Sequence, residues 1–222
     1  MEATISEKLE KGFEIISSFY DWDEFLLKEI VKAKKEYFGK TGKINETDKD
    51  FSNRMNAFLL WFTFDWRCKE NLSTPFEIYK QFLLKKELND EFSMLEGYEN
   101  HIHSLFELQK TTKGKTQIRD IYSNKKYQIS DTDFLIGCLK GALFETRIFQ
   151  VGESYHFSNY YIPHPLEVKK NIKKRNKQIR KTGESIKPFI FQLHSYHTKW
   201  ERYRNISIKS IYYFDNSVPE AK

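Results

Sequence analysis

The chain has little cysteine, glycine or proline: two, nine and five of them in 222 residues. The two thiols, Cys68 and Cys138, form no CxxC pair, cannot build a disulfide scaffold and are too few for a four-ligand zinc site by themselves. So little glycine and proline excludes collagen-like and linker-like chains. Long apolar runs are missing too. The longest, Ala57 to Phe64, has eight residues, Thr63 among them, and stops at Asp65, against the roughly 20 that span a bilayer. Acidic side chains interrupt the first thirty residues, so no export signal is read there. The expectation is a cytoplasmic protein without a transmembrane segment, its thiols reduced.

What is plentiful is aromatic surface: 19 Phe, 13 Tyr and 4 Trp. That much apolar ring area has to be buried, which excludes wholesale disorder. Charged residues make up 31% of the chain, and its formal net charge is +6.

Periodicity divides the chain in three. Thr4 and Glu7 have capping-box spacing before Ile5, Leu9, Phe13, Ile16 and Tyr20, which predicts a first helix. Asp21 or Asp23 caps a second, carrying Phe25, Leu26, Ile30, Ala33 and Tyr37 and ending at Gly39. Phe51, Met55, Phe58, Leu59 and Phe62 predict a third, apolar enough to lie in the centre. Thr74-Pro75-Phe76-Glu77 is the clearest helix start, a capping box with proline at the first helical position. From Ile102 the period becomes nearly alternating, with short runs at Gln117 to Tyr122, Tyr127 to Ile129, Leu143 to Val151 and Tyr155 to Phe157. Helical spacing returns at about 166 to 182 and 188 to 204. The run Ile206 to Phe214 fits a strand or a short helix.

The expected fold is α+β. A helical segment (1–99) packs on a small antiparallel sheet or open barrel (100–162), followed by a basic helix and C-terminal arm (163–222), all in one compact unit.

Four landmarks carry a resemblance: Phe58-Leu-Leu-Trp-Phe-Thr-Phe-Asp65, Thr74-Pro75-Phe76-Glu77, Ile118-Arg119-Asp120-Ile121-Tyr122 with Tyr127-Gln-Ile-Ser-Asp131, and Gly141-Ala-Leu-Phe-Glu-Thr-Arg147. Over residues 50 to 165 the chain resembles uncharacterised bacterial proteins that join a Trp-Phe-x-Phe-Asp helical core to a compact sheet. Some of those proteins carry a short zinc-binding tail, which this sequence lacks. The resemblance implies no activity.

Function is read chiefly from charge. Residues 165–187 hold nine basic and two acidic side chains, a surplus of seven in a chain whose total is +6. At about 100° per residue, Val168, Ile172 and Ile179 share one face. Lys169, Lys170, Lys173, Lys174, Lys177, Arg180 and Lys181 spread over the other. One face docks; the other presents cations to phosphates. Tyr160 and Tyr161 precede this helix, and adjacent residues of an extended segment point in opposite directions, so one of them faces outward and can stack on bases. The turns add Lys110, Lys113, Lys115, Lys125 and Lys126. Small barrels bind oligonucleotides across a strand face and its loops, an analogy of architecture.

The favoured function is therefore non-enzymatic nucleic-acid binding, DNA or RNA, or association with a nucleoprotein. A structural or regulatory module binding an acidic protein partner is the alternative, and a metal-dependent enzyme the third reading. No cofactor, metal or catalytic residue is expected. His194, His197 and Glu201 could share a helix face toward a metal, but packing is the preferred role, as it is for His101 and His103. Gly114-Lys115-Thr116 ends like a phosphate loop, yet Gln109 stands where that signature needs glycine. Asp65 needs a partner among its aromatics, with Arg67 or a loop amide the candidates. Arg119 and Asp120 are read as an internal pair fixing strand register.

Overall fold

The computed structural model describes residues 5–68, 72–93, 95–112, 115–130 and 138–214. Helices α1 (Ile5–Phe19), α2 (Glu24–Thr41), α3 (Phe51–Asp65), α4 (Pro75–Lys86), α5 (Asn89–Ser93) and α6 (Glu96–Glu99) precede the sheet. Asp23 caps α2 by accepting from the Leu26 amide at 2.9 Å. The helix runs past Gly39 to Thr41, because Gly42, at φ 100°, supplies the turn. Thr74 and Glu77 form the expected capping box of α4. Thr4 lies outside the described residues, so the first expected cap does too.

Helix α3 buries Phe58, Leu60, Trp61, Phe62 and Phe64. Its rings meet Tyr20, Tyr37, Phe38, Phe76 and Tyr98. This is the apolar centre of the helical half.

Strands β1 (His101–Thr112), β2 (Lys115–Asp120), β3 (Lys126–Ile129), β4 (Leu143–Val151), β5 (Ser154–Phe157) and β6 (Ile162–His164) form one sheet. β1 pairs with both β2 and β4, and β5 joins β3 to β4, so five strands close into a ring and β6 adds to β4. The sheet is thus mixed rather than wholly antiparallel: β3 and β5 run parallel, paired at Ile129 and Tyr155. Phe106, Leu108, Ile118, Tyr127, Ile129, Phe144, Ile148 and Phe157 fill the ring's interior.

After Pro165 a 3-10 turn (Leu166–Val168) leads into α7 (Lys169–Thr182), then α8 (Lys187–Arg202) and α9 (Ile208–Ile211). The final apolar run is thus a short helix, with Ile211, Tyr212 and Phe214 buried against α7 and α8. Leu105 and Leu143, on the outer side of β1 and β4, pack into the same cluster. Phe149, also outward, packs into the N-terminal cluster. Helices from both ends of the chain therefore cover the outside of β1 and β4, while β2 and β3 keep an exposed outer face.

Candidate nucleic-acid interface

Helix α7 docks by Ile172, Asn176 and Ile179. The apolar side chains join the C-terminal cluster, and Asn176 Nδ2 donates to the Ile121 carbonyl at 2.6 Å. This fixes the rotation of the helix on the barrel. Gly183, at φ 72°, ends it in the left-handed conformation.

Docking sorts the cations. Lys169 and Lys173, near the start of α7, turn back to the buried Glu107 of β1, at 2.8 and 2.5 Å. Arg119 of β2 meets the same carboxylate from the opposite side. Burial alone would raise the Glu107 pKa, but hydrogen bonds from three cations outweigh it and lower it to about 2. A β-bulge between Leu108 and Lys110 follows directly.

Beyond this hub lies a groove of about 410 Å³, lined by Arg119, Lys173, Lys177, Arg180 and Lys181, with Asn124, Asn176 and Ile121. Lys173, Lys177, Arg180 and Lys181 fall at helical spacings of four, three and one, so they share one side of α7. Arg119 and Asn124 form the opposite wall, Asn124 standing at φ 66° in the β2–β3 turn. Among the described residues, five cations and no carboxylate line the groove.

Lys170 and Lys174 are exposed and do not line it. Tyr160 is buried, at 1% exposure, and its carbonyl accepts from Thr146. It presents no ring to solvent, because the extended segment runs beneath α3 rather than over the surface. Tyr161 is half-buried and packs on the barrel interior, its backbone held by Asn53. Neither tyrosine lines the groove.

Arg119 and Asp120 are not a pair. They point to opposite sides of β2, so Arg119 goes out to Glu107 while Asp120 accepts from Ser104, Ser123 and the Tyr122 amide inside the barrel rim. Sequence reasoning thus missed Arg119, Asn124 and Asn176 as groove-lining residues, and Glu107 as the anion that holds two of the cations from behind. The alternation of β2, which puts Arg119 outward, was the available signal.

The other polar candidates meet in a buried seam between the barrel and its helices. Asp65, at the end of α3, pairs with Arg147 of β4 and accepts from Lys187 Nζ at 2.7 Å, not from Arg67. Burial opposes its ionisation, but Arg147, His103 and Lys187 hold the carboxyl well below its usual range. Glu145, next but one on β4, lies 3.1 Å from His103 Nε2 and 3.6 Å from His194 Nδ1. His194 and His103 likewise outweigh burial and keep Glu145 ionised. His194 also approaches Tyr37 at 3.4 Å. His197 faces Asp50 at 3.9 Å, while Glu201 bonds Arg204. The three residues at metal-like spacing therefore engage three different neighbours, and among the described residues no group of three or more metal-binding side chains converges. His101 bonds the Tyr98 carbonyl and lies against Phe64. Lys115 and Thr116 begin a strand, not the helix a phosphate loop requires.

No helix among the described residues is long and apolar enough to cross a membrane. No curated protein and no solved structure matches the chain. The profile of a family of unknown function, DUF7986, matches residues 17–205, which is most of the chain and all three of its parts, and the protein belongs to that family.

Proposed function

We propose that the protein binds nucleic acid, with the phosphate backbone entering the groove between α7 and the β2–β3 turn. The observation that supports this most is the lining itself: among the described residues, five cations from two separate elements face one concavity without a carboxylate among them. A merely solvated lysine face has no reason to meet an arginine across a groove. Lys173 and Arg119 are held from behind by Glu107, so their positions are set before a ligand arrives. Lys177, Arg180 and Lys181 supply exposed charge, and Lys170 and Lys174 add to the field around the entrance. The binding set is thus Lys169, Lys170, Lys173, Lys174, Lys177, Arg180 and Lys181 as a field, with Arg119, Lys173, Lys177, Arg180 and Lys181 in contact. Tyr160 and Tyr161 lie outside it.

The test is fluorescence anisotropy with labelled oligonucleotides over a salt series. Affinity should fall with salt, with a slope of about −0.7 per phosphate contact on single strands or about −0.9 on duplex DNA. Lys177→Gln with Arg180→Gln should flatten that slope by about 1.4 on single strands and leave circular dichroism unchanged. Failure of the wild type to bind any nucleic acid below about 100 µM at low salt would discard the proposal in favour of an acidic protein partner.

A further inference from the structure

We infer that the ligand is a single strand, and that its backbone continues out of the groove across the exposed face of β2 and β3. This rests on the nucleic-acid reading of the groove and extends it to a surface beyond α7.

The strand register builds that surface. Gln117 stands opposite Gln128 and Arg119 opposite Lys126. On the other side of β2, Lys110 stands opposite Gln117 and Thr112 opposite Lys115. Strand alternation sends Lys115, Gln117 and Arg119 outward together while Thr116, Ile118 and Asp120 go inward. Lys126 and Gln128 are exposed in the same way, and Lys110 and Thr112 lie in the exposed end of β1. The β-bulge before Lys110 sets this phase, because the extra residue puts both Glu107 and Lys110 on the outer side. The result is a patch of four cations, Lys110, Lys115, Arg119 and Lys126, with amides and a hydroxyl between them. Among the described residues, the carboxylate that borders it, Glu107, is already occupied by three cations.

Arg119 belongs to both surfaces. It lines the groove and ends the outward row of β2, so the two positive regions meet at one residue. From Lys115 to Arg119 is about 13 Å along an extended strand, and from Lys173 to Lys181 is about 12 Å along the helix. A path over both turns from a sheet face into a concavity. Duplex DNA is stiff over about 150 base pairs, and bending it through such a turn within that distance costs deformation free energy. A single strand turns without that cost, and its phosphates can enter the groove. The outward row of β2 and β3 is lysine, arginine and glutamine, with Tyr127 turned inward. Recognition on this path is therefore of phosphate and sugar, with little dependence on base identity.

The experiment compares the wild type with a face variant, Lys115→Gln with Lys126→Gln, and a groove variant, Lys177→Gln with Arg180→Gln. The probes are labelled oligo-dT, oligo-dC and oligo-U of equal length, and a DNA duplex of that length. The wild type should bind the single strands about tenfold more tightly than the duplex, with the three homopolymers within about threefold of one another. The face variant should lose about fivefold or more for single strands and flatten the salt slope by about 1.4. If the groove variant loses affinity and the face variant does not, the path over the sheet is wrong while the groove remains a binding site. Equal or tighter binding of the duplex overturns the single-strand assignment. If the wild type binds none of the probes, the groove reading itself falls.

Discussion

Lys173 and Glu107 lie 66 positions apart in sequence, and the ammonium of the first donates to the carboxylate of the second at 2.5 Å. Lys169 and Arg119 share that carboxylate, so one buried anion ties α7 to two strands of the barrel. The same contact places Lys173 and Arg119 at the mouth of the groove. A structural hub and a candidate binding site are therefore built on one side chain, and a single substitution should affect the two in opposite directions.

Glu107→Gln should weaken the fold and strengthen anion binding. Three half-buried cations lose their counter-charge, which should cost about 2 kcal/mol of stability near neutral pH, read from urea unfolding. Removing a negative charge beside the groove should raise the affinity for a single-stranded oligonucleotide about threefold or more at low salt, an effect that shrinks as salt is added. Weaker binding in a folded variant would mean that Glu107 matters to the groove by positioning Lys173 and Arg119 rather than by its charge.

The Asp65–Arg147 pair should prove essential once one partner is removed. Arg147 is 1% exposed and contacts Asp65 while its guanidinium lies over the Phe64 ring. Arg147→Met strands the carboxylate in an apolar setting with only Lys187 and His103 to hold it, and should cost about 3 kcal/mol or more. Arg147→Met combined with Asp65→Leu should cost less than the two single changes added together, by about 1 kcal/mol or more. Strict additivity in thermal and urea unfolding would show that the pair contributes no coupling.

Stability should fall on mild acidification. Burial lowers the pKa of His164 to about 4 and of His197 to about 3, against the attraction of Glu145. His194 opposes protonation of both, and His164 also opposes that of His197. His164 contacts Tyr212, and His197 faces Asp50. In the unfolded chain each imidazole titrates near 6.5. Between 6.5 and the folded values the unfolded state binds the extra protons, so the native state loses stability as pH drops through that window. The loss should reach about 2–3 kcal/mol per imidazole by pH 4. Asp65, Glu107 and Glu145, all held below their usual range, add to it as pH falls below about 4.5. Urea midpoints at about pH 7, 5.5 and 4 test this, with His164→Gln flattening the slope. An unchanged midpoint from pH 7 to 5 would contradict the burial of these rings.

The sequence by itself determined the local elements, because their causes are local. Thr74-Pro75-Phe76-Glu77 carries its own capping bonds. The aromatic spacing of α3 fixes a helix that must be covered on several sides, and the change of period near Ile102 and again near residue 166 divides the α+β fold. The basic face of α7 was also legible, since helical geometry alone separates Ile172 and Ile179 from the lysines. Only the tertiary structure decided what those lysines face. Glu107 reads as one polar residue in an alternating strand, and nothing local shows that Lys169 and Lys173 will close on it. Arg119 and Asp120 are neighbours in sequence, yet the pleat sends them to opposite sides of the sheet. Arg147 and Glu145 stand on the outer side of β4, where alternation alone would predict contact with water, but helices from both ends of the chain cover that side. Ion pairs and grooves arise where segments far apart in sequence are brought together, and strand closure and helix docking set that proximity.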